Sequence, residues 1–102
     1  MKIDSDVRVQ VLLSMQSALL GMVTANMASV MVSFSASSIR FRVKFSGVVG
    51  EAEVERVSEV ETELLAMLPA MEVSGLAETC EFPERIELLQ GEVLVFSRDP
   101  AS

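Results

Sequence analysis

Glu53, Glu55, Glu59, Glu61 and Glu63 crowd into one short stretch, and they are the side chains of this sequence best spaced to do chemistry. Carboxylates four apart on a helix share a face, a spacing that suits an acid–base pair or a hard cation such as Ca²⁺ or Mg²⁺. Hard-ion sites usually need a shaped loop, so a solvated acidic face is the simpler expectation for such a row. The other common reagents are scarce. The 102-residue chain has no His, Tyr or Trp and a single Cys, which removes imidazole bases and nearly all transition-metal ligand sets. No Gly-rich phosphate loop follows a strand, and no Ser stands in a nucleophile elbow. Cys80, with Glu78 and Glu81 beside it, lacks the basic neighbours that stabilise a thiolate and reads as an ordinary strand residue. Binding is therefore expected rather than catalysis, with no catalytic residue, no metal and no cofactor.

Charge narrows what is bound. The net charge is −7, and it is divided unevenly: residues 1–48 hold five basic and two acidic side chains, residues 49–102 three basic and thirteen acidic. An acidic half repels phosphate, which argues against direct nucleic-acid binding. The basic ladder Arg40, Arg42, Lys44 has no Tyr or Trp to stack bases, and solvation or cross-strand pairing accounts for it. An acidic domain is suited instead to a basic protein partner, whose approach its field would hasten.

The elements that must position these groups follow from periodicity. Ser5 is the expected N-cap of a helix from Asp6 to Met22. One arc of it carries Val7, Val11, Leu12, Met15, Leu19, Met22 and Val23, and a second carries Val9, Leu13 and Leu20, so it is either sandwiched in the core or offered to a partner. From Ala28 to Phe45 the period changes to two, with Val30, Val32 and Phe34, then Ile39, Phe41, Val43 and Phe45, split by Ser35–Ser38; this predicts an antiparallel hairpin. A second helix is expected from Glu51 to Leu68, ended by Pro69, with Val54, Val57, Val60, Leu64, Leu65 and Leu68 inward and Glu55, Glu59 and Glu63 outward. Glu61 falls inside the apolar arc, where a satisfied contact at the helix margin is expected. Strands over 73–82 and 92–98 complete the order α-β-β-α-β-β, an α+β fold with a four-stranded, mainly antiparallel sheet in one domain spanning 1–102. The connection from Pro83 to Gln90 contains Ile86, Leu88 and Leu89, which are either core or apolar anchors for a partner.

One Cys forbids an intramolecular disulfide, and a reducing cytoplasm fits. No charge lies between Arg8 and Arg40, but Gln10, Ser14, Gln16, Ser17, Thr24, Asn26 and Ser29 interrupt that stretch, so neither a membrane span nor a signal peptide is expected.

The run VSFSASSIRFRVKF (32–45), the helix core VETEL (60–64) and the terminal strand VLVFSR (93–98) resemble small bacterial immunity proteins of contact-dependent growth inhibition, or polymorphic toxin, systems. The resemblance implies a cognate toxin domain as partner, often a nuclease, neutralised in the cytoplasm by stoichiometric binding. It carries over no functional residue. Beside it, the acid row points to Glu55, Glu59 and Glu63 as the partner-binding surface for a basic nuclease, with Ile86, Leu88 and Leu89 as anchors. The alternative is a structural or regulatory homodimer built on the first helix or a sheet edge.

Overall fold

The computed structural model describes the backbone of residues 2–80 and 87–98 and, from Asp6 onward, their side chains. Its elements are α1 (Lys2–Leu19), β1 (Met27–Phe34), β2 (Ser38–Ser46), α2 (Glu51–Met67), β3 (Glu72–Cys80) and β4 (Val93–Ser97), in the expected order α-β-β-α-β-β.

Alternating apolar residues make β1 and β2 an antiparallel hairpin, with Val30 opposite Val43 and Val32 opposite Phe41. Ser35 closes its turn: its backbone N–H donates to the Ser38 carbonyl at 2.8 Å, and its hydroxyl accepts from the N–H groups of Ser37 and Ser38. Gly47 follows β2 with φ of +91° and turns the chain toward α2. β4 pairs antiparallel with β1, while β3 pairs parallel with β2, so the sheet order is β3-β2-β1-β4. Two of its three pairings are antiparallel; the parallel one requires a crossover, which α2 supplies.

Both helices cover one face of the sheet. Val11, Met15, Ala18 and Leu19 of α1 and Val57, Val60 and Leu64 of α2 share a core with Val30, Val32, Ile39, Phe41, Val43 and Phe45. α1 begins at Lys2, ahead of the expected Ser5 cap, because residues 2–5 contain no helix breaker. It stops at Leu19, short of Met22, where Gly21 takes φ of +76° and the Met22 N–H donates to the Leu19 carbonyl. Its second arc is outside the core: Val9, Leu13 and Leu20 are exposed. No helix among the described residues is long and apolar enough to cross a membrane.

Neither α1 nor α2 lies over the opposite face of the sheet, where Ser29 and Met31 of β1 are nonetheless buried. That face carries Arg40, Arg42 and Lys44 from β2, set in register against Ser74, Leu76 and Glu78 of β3.

Candidate functional site

The five glutamates divide into three roles once α2 is packed. Glu53 caps its own helix. Its Oε1 accepts the Gly50 N–H at 2.8 Å and its Oε2 accepts from Asn26 Nδ2 at 3.0 Å, so hydrogen bonding, first from Gly50 and then from Asn26, holds the carboxyl below its ordinary range. Glu61 leans onto the sheet edge, where its Oε2 accepts the Gly75 N–H at 2.6 Å; this is the satisfied marginal contact that its place in the apolar arc predicts. Glu55, Glu59 and Glu63 are exposed on the side of α2 away from Val57, Val60 and Leu64. Arg56 bridges Glu59 at 3.1 Å and leaves most of the row's charge uncompensated. Among the described residues no three carboxylate or thiol groups converge to hold a metal ion. Cys80 ends β3 and is buried there.

The other half of the expected surface lies elsewhere. Leu88 and Leu89 are exposed in the segment leading to β4, and Ile86 lies outside the described residues. Leu89 lines a groove of about 580 Å³ on the sheet face opposite α1 and α2, together with Ser33, Arg40, Ser74, Leu76 and Glu92. The sheet therefore stands between the α2 glutamates and Leu89, and the structure does not bring them into one patch. Helical period and chain proximity had joined them in the sequence, but neither reports which face of the sheet a loop crosses.

Arg42 holds that segment in place. Its Nε donates to Glu92 Oε2 and its Nη2 to Glu92 Oε1, each at 2.7 Å, a bidentate pair, while Nη1 donates to Glu78 Oε1 at 2.8 Å and Nη2 also reaches the Glu87 carbonyl. Glu92 Oε1 accepts the Leu89 N–H as well, at 2.7 Å, which fixes the turn carrying the leucines. Only 5% of the Glu92 side chain and 14% of the Arg42 side chain remain exposed. The Arg42 hydrogen bonds hold the Glu92 carboxyl below its ordinary range against the opposing effect of burial, and Glu92 in turn raises the guanidinium. The expected solvation of the basic ladder is corrected here for Arg42. Cross-strand pairing to Glu78 accounts for one of its bonds, and Glu92, fifty residues away in sequence, accounts for two. The only sequence signal for such a hub was an arginine on the wet face of a strand in a chain rich in glutamate.

Residues 8–99 match the model of the MafI2 immunity protein family. The chain belongs to that family. The MafI2 match runs from within α1 through β4, so both candidate surfaces lie inside it. Membership makes the chain a bacterial immunity protein whose partner is a cognate toxin, in agreement with the resemblance read from the three sequence runs. No curated protein matches the chain.

Proposed function

We propose that this MafI2-family chain neutralises its toxin by non-enzymatic, stoichiometric binding in the cytoplasm, that the toxin is a basic nuclease, and that the outer stripe of α2 is the surface that meets it. The observation carrying this reading is the exposed row Glu55, Glu59 and Glu63, backed by a buried apolar row and only partly offset by Arg56. A nuclease holds phosphates with Arg and Lys; a rigid helix offering carboxylates competes for the same cations and covers the substrate groove. Contact-dependent delivery was part of the sequence resemblance, but the Maf designation belongs to a different toxin system, and the reading rests on neutralisation alone.

The test is recovery of the tagged chain from its native cell, with the partner identified, the complex mass taken by light scattering and nucleic-acid cleavage assayed with and without the chain. One basic partner in a stoichiometric complex, active alone and silent when bound, is the expected result. Glu55→Gln, Glu59→Gln and Glu63→Gln together should weaken the complex about tenfold or more at low salt. A partner whose cleavage persists in the complex would sink the mechanism, and unchanged affinity of the triple variant would move the surface away from α2.

A further inference from the structure

Charged side chains set the rate and specificity of an encounter more than its strength, and tight contacts are held by a few apolar groups that leave water on binding. The α2 row is all carboxylate, and Leu88 and Leu89 lie across the sheet from it, so anchors for a toxin seated on α2 have to come from the helix layer itself. α1 supplies a row of them. Val11, Met15, Ala18 and Leu19 turn one side of that helix into the core, while Val9, Leu13 and Leu20, spaced by four and seven residues, form a second row on the side away from the sheet and are 56%, 59% and 79% exposed. Folding gives this row no task, and contiguous apolar surface of this kind marks a place where another molecule sits. No charged side chain lies between Val9 and Leu20; Gln10, Gln16 and Ser17, which flank the row, are exposed and neutral. A partner can cover them at far smaller cost than it could cover charges.

The two rows belong to one surface. α1 and α2 run antiparallel over the same sheet face: at one end Arg56 Nη1 donates to Met22 Sδ at 3.2 Å and Asn26 donates to Glu53, and at the other Val7, Gln10 and Val11 share a crevice with Met67 and Leu68. Helices packed side by side stand about 8–10 Å apart, well within a footprint of about 800 Å² per partner. Leu13 and Leu20 therefore lie alongside Glu63, Glu59 and Glu55. Arg56 stands between the rows, held by Glu59 and Met22. The described residues on either side of 81–86 are remote from this surface: Cys80 ends β3, the sheet edge opposite β4, where α1 packs, and the Glu87 carbonyl meets Arg42 on the other face. Charge then selects the occupant. A second copy laid on α1 about a two-fold axis would bring two α2 rows together, and an anionic lipid surface would meet the same carboxylates; both are repelled where a basic protein is attracted.

We infer that Val9, Leu13 and Leu20 of α1 are the apolar anchors of the toxin contact, so that the toxin lies across the outer faces of both helices, steered by α2 and held by α1. This rests on the reading of α2 as the toxin-facing surface and adds to it the groups that set how long the complex lasts.

Association and dissociation rates with the toxin domain that copurifies with the chain separate the two rows. Val9→Gln with Leu13→Gln keeps the net charge and, at exposed positions, should keep the wild-type melting curve. It should raise the dissociation rate about tenfold or more and leave the association rate and its salt dependence unchanged. Leu13→Met, apolar and of similar volume, should bind as wild type. The triple glutamine variant of α2 should do the reverse of the α1 variant and slow association. If the α2 variant weakens the complex and the α1 variant does not, the inference falls and the α2 surface stands. If the α1 variant weakens it and the α2 variant does not, the shared footprint and the α2 reading fall together, and unchanged binding in both removes both rows. Light scattering of the free chain and flotation with phosphatidylcholine vesicles check the other occupants: a dimer, or a vesicle-bound chain, released by Leu13→Gln would give the row to a second copy or to lipid and overturn the inference.

Discussion

Truncating Arg42 leaves Glu92 95% enclosed without its hydrogen-bonded cation and with only the longer-range field of Lys44, and an undercompensated buried carboxylate costs more than the intact pair contributes. Arg42→Ala should therefore destabilise the fold by about 2 kcal/mol, below the loss seen for fully buried pairs because Glu78 can turn back to water. Urea unfolding would measure it, and a loss within experimental error would mean that the segment is held by something other than Arg42. The same pair sets an acid dependence. Glu92 titrates below its ordinary value of 4.5 in the folded chain, so its contribution is fully present above that value and is lost as pH falls through the lower folded value. Arg42 stays protonated throughout, so the carboxylate alone carries the change. As pH falls below 4.5, wild type should lose stability more steeply than Glu92→Gln. Equal slopes would assign the acid loss to other carboxylates.

At the scale of the elements, β3 is an edge strand whose position depends on Gly75. A Cβ there would stand 2.7 Å from both Phe41 Cε2 and Val57 Cγ1, two side chains packed in the core, so α2, β2 and β3 meet only where the side chain is missing. Gly75→Ala should cost about 1–3 kcal/mol through overpacking, read as a lower denaturation midpoint with an unchanged slope. A neutral outcome would show that α2 can slide to make room. This close approach also allows Glu61 to take the Gly75 N–H, which occupies one open donor of the edge. Glycine at 75 gave no warning of it in the sequence, where it was one more residue in a loose alternation. Local pattern was enough elsewhere: the two-residue period of Val30 to Phe45, the centre of the helical arc at Val57, Val60 and Leu64, and the inward position of Glu61 stand in the structure, whereas Val54 and Leu65 at the margins of that arc are exposed because the sheet is narrower than the arc. What pattern left open were contacts between distant segments, namely the β3-β2-β1-β4 order and the clasp of Arg42 on Glu92, because no local period encodes which strand a crossover joins. The site divides the same way. The exposure of Glu55, Glu59 and Glu63 was legible from one helix, whereas the face occupied by Leu89 was not, since a loop's path depends on the charge that catches it.

For the whole molecule the governing feature is polarity of charge. The acidic side chains concentrate after residue 49, and α2 raises three of them on the helix layer, away from the sheet face that carries Arg40, Arg42 and Lys44. A field arranged this way acts mainly before contact, by orienting a cationic partner so that α2 arrives first, and such steering is screened over a Debye length of about 10 Å at 0.1 M salt. If α2 meets a basic toxin, the association rate should fall about tenfold or more as salt rises from low to several tenths molar, while the dissociation rate changes far less. The triple change of Glu55, Glu59 and Glu63 to Gln should slow association at low salt and flatten that dependence. Removing Glu72 on the other face by Glu72→Gln subtracts one charge without touching α2, and should leave a steep dependence. Stopped-flow mixing with the isolated toxin separates the cases. If both variants flatten the dependence in proportion to charge removed, net charge alone attracts the toxin, and α2 has no special claim to be the face it meets.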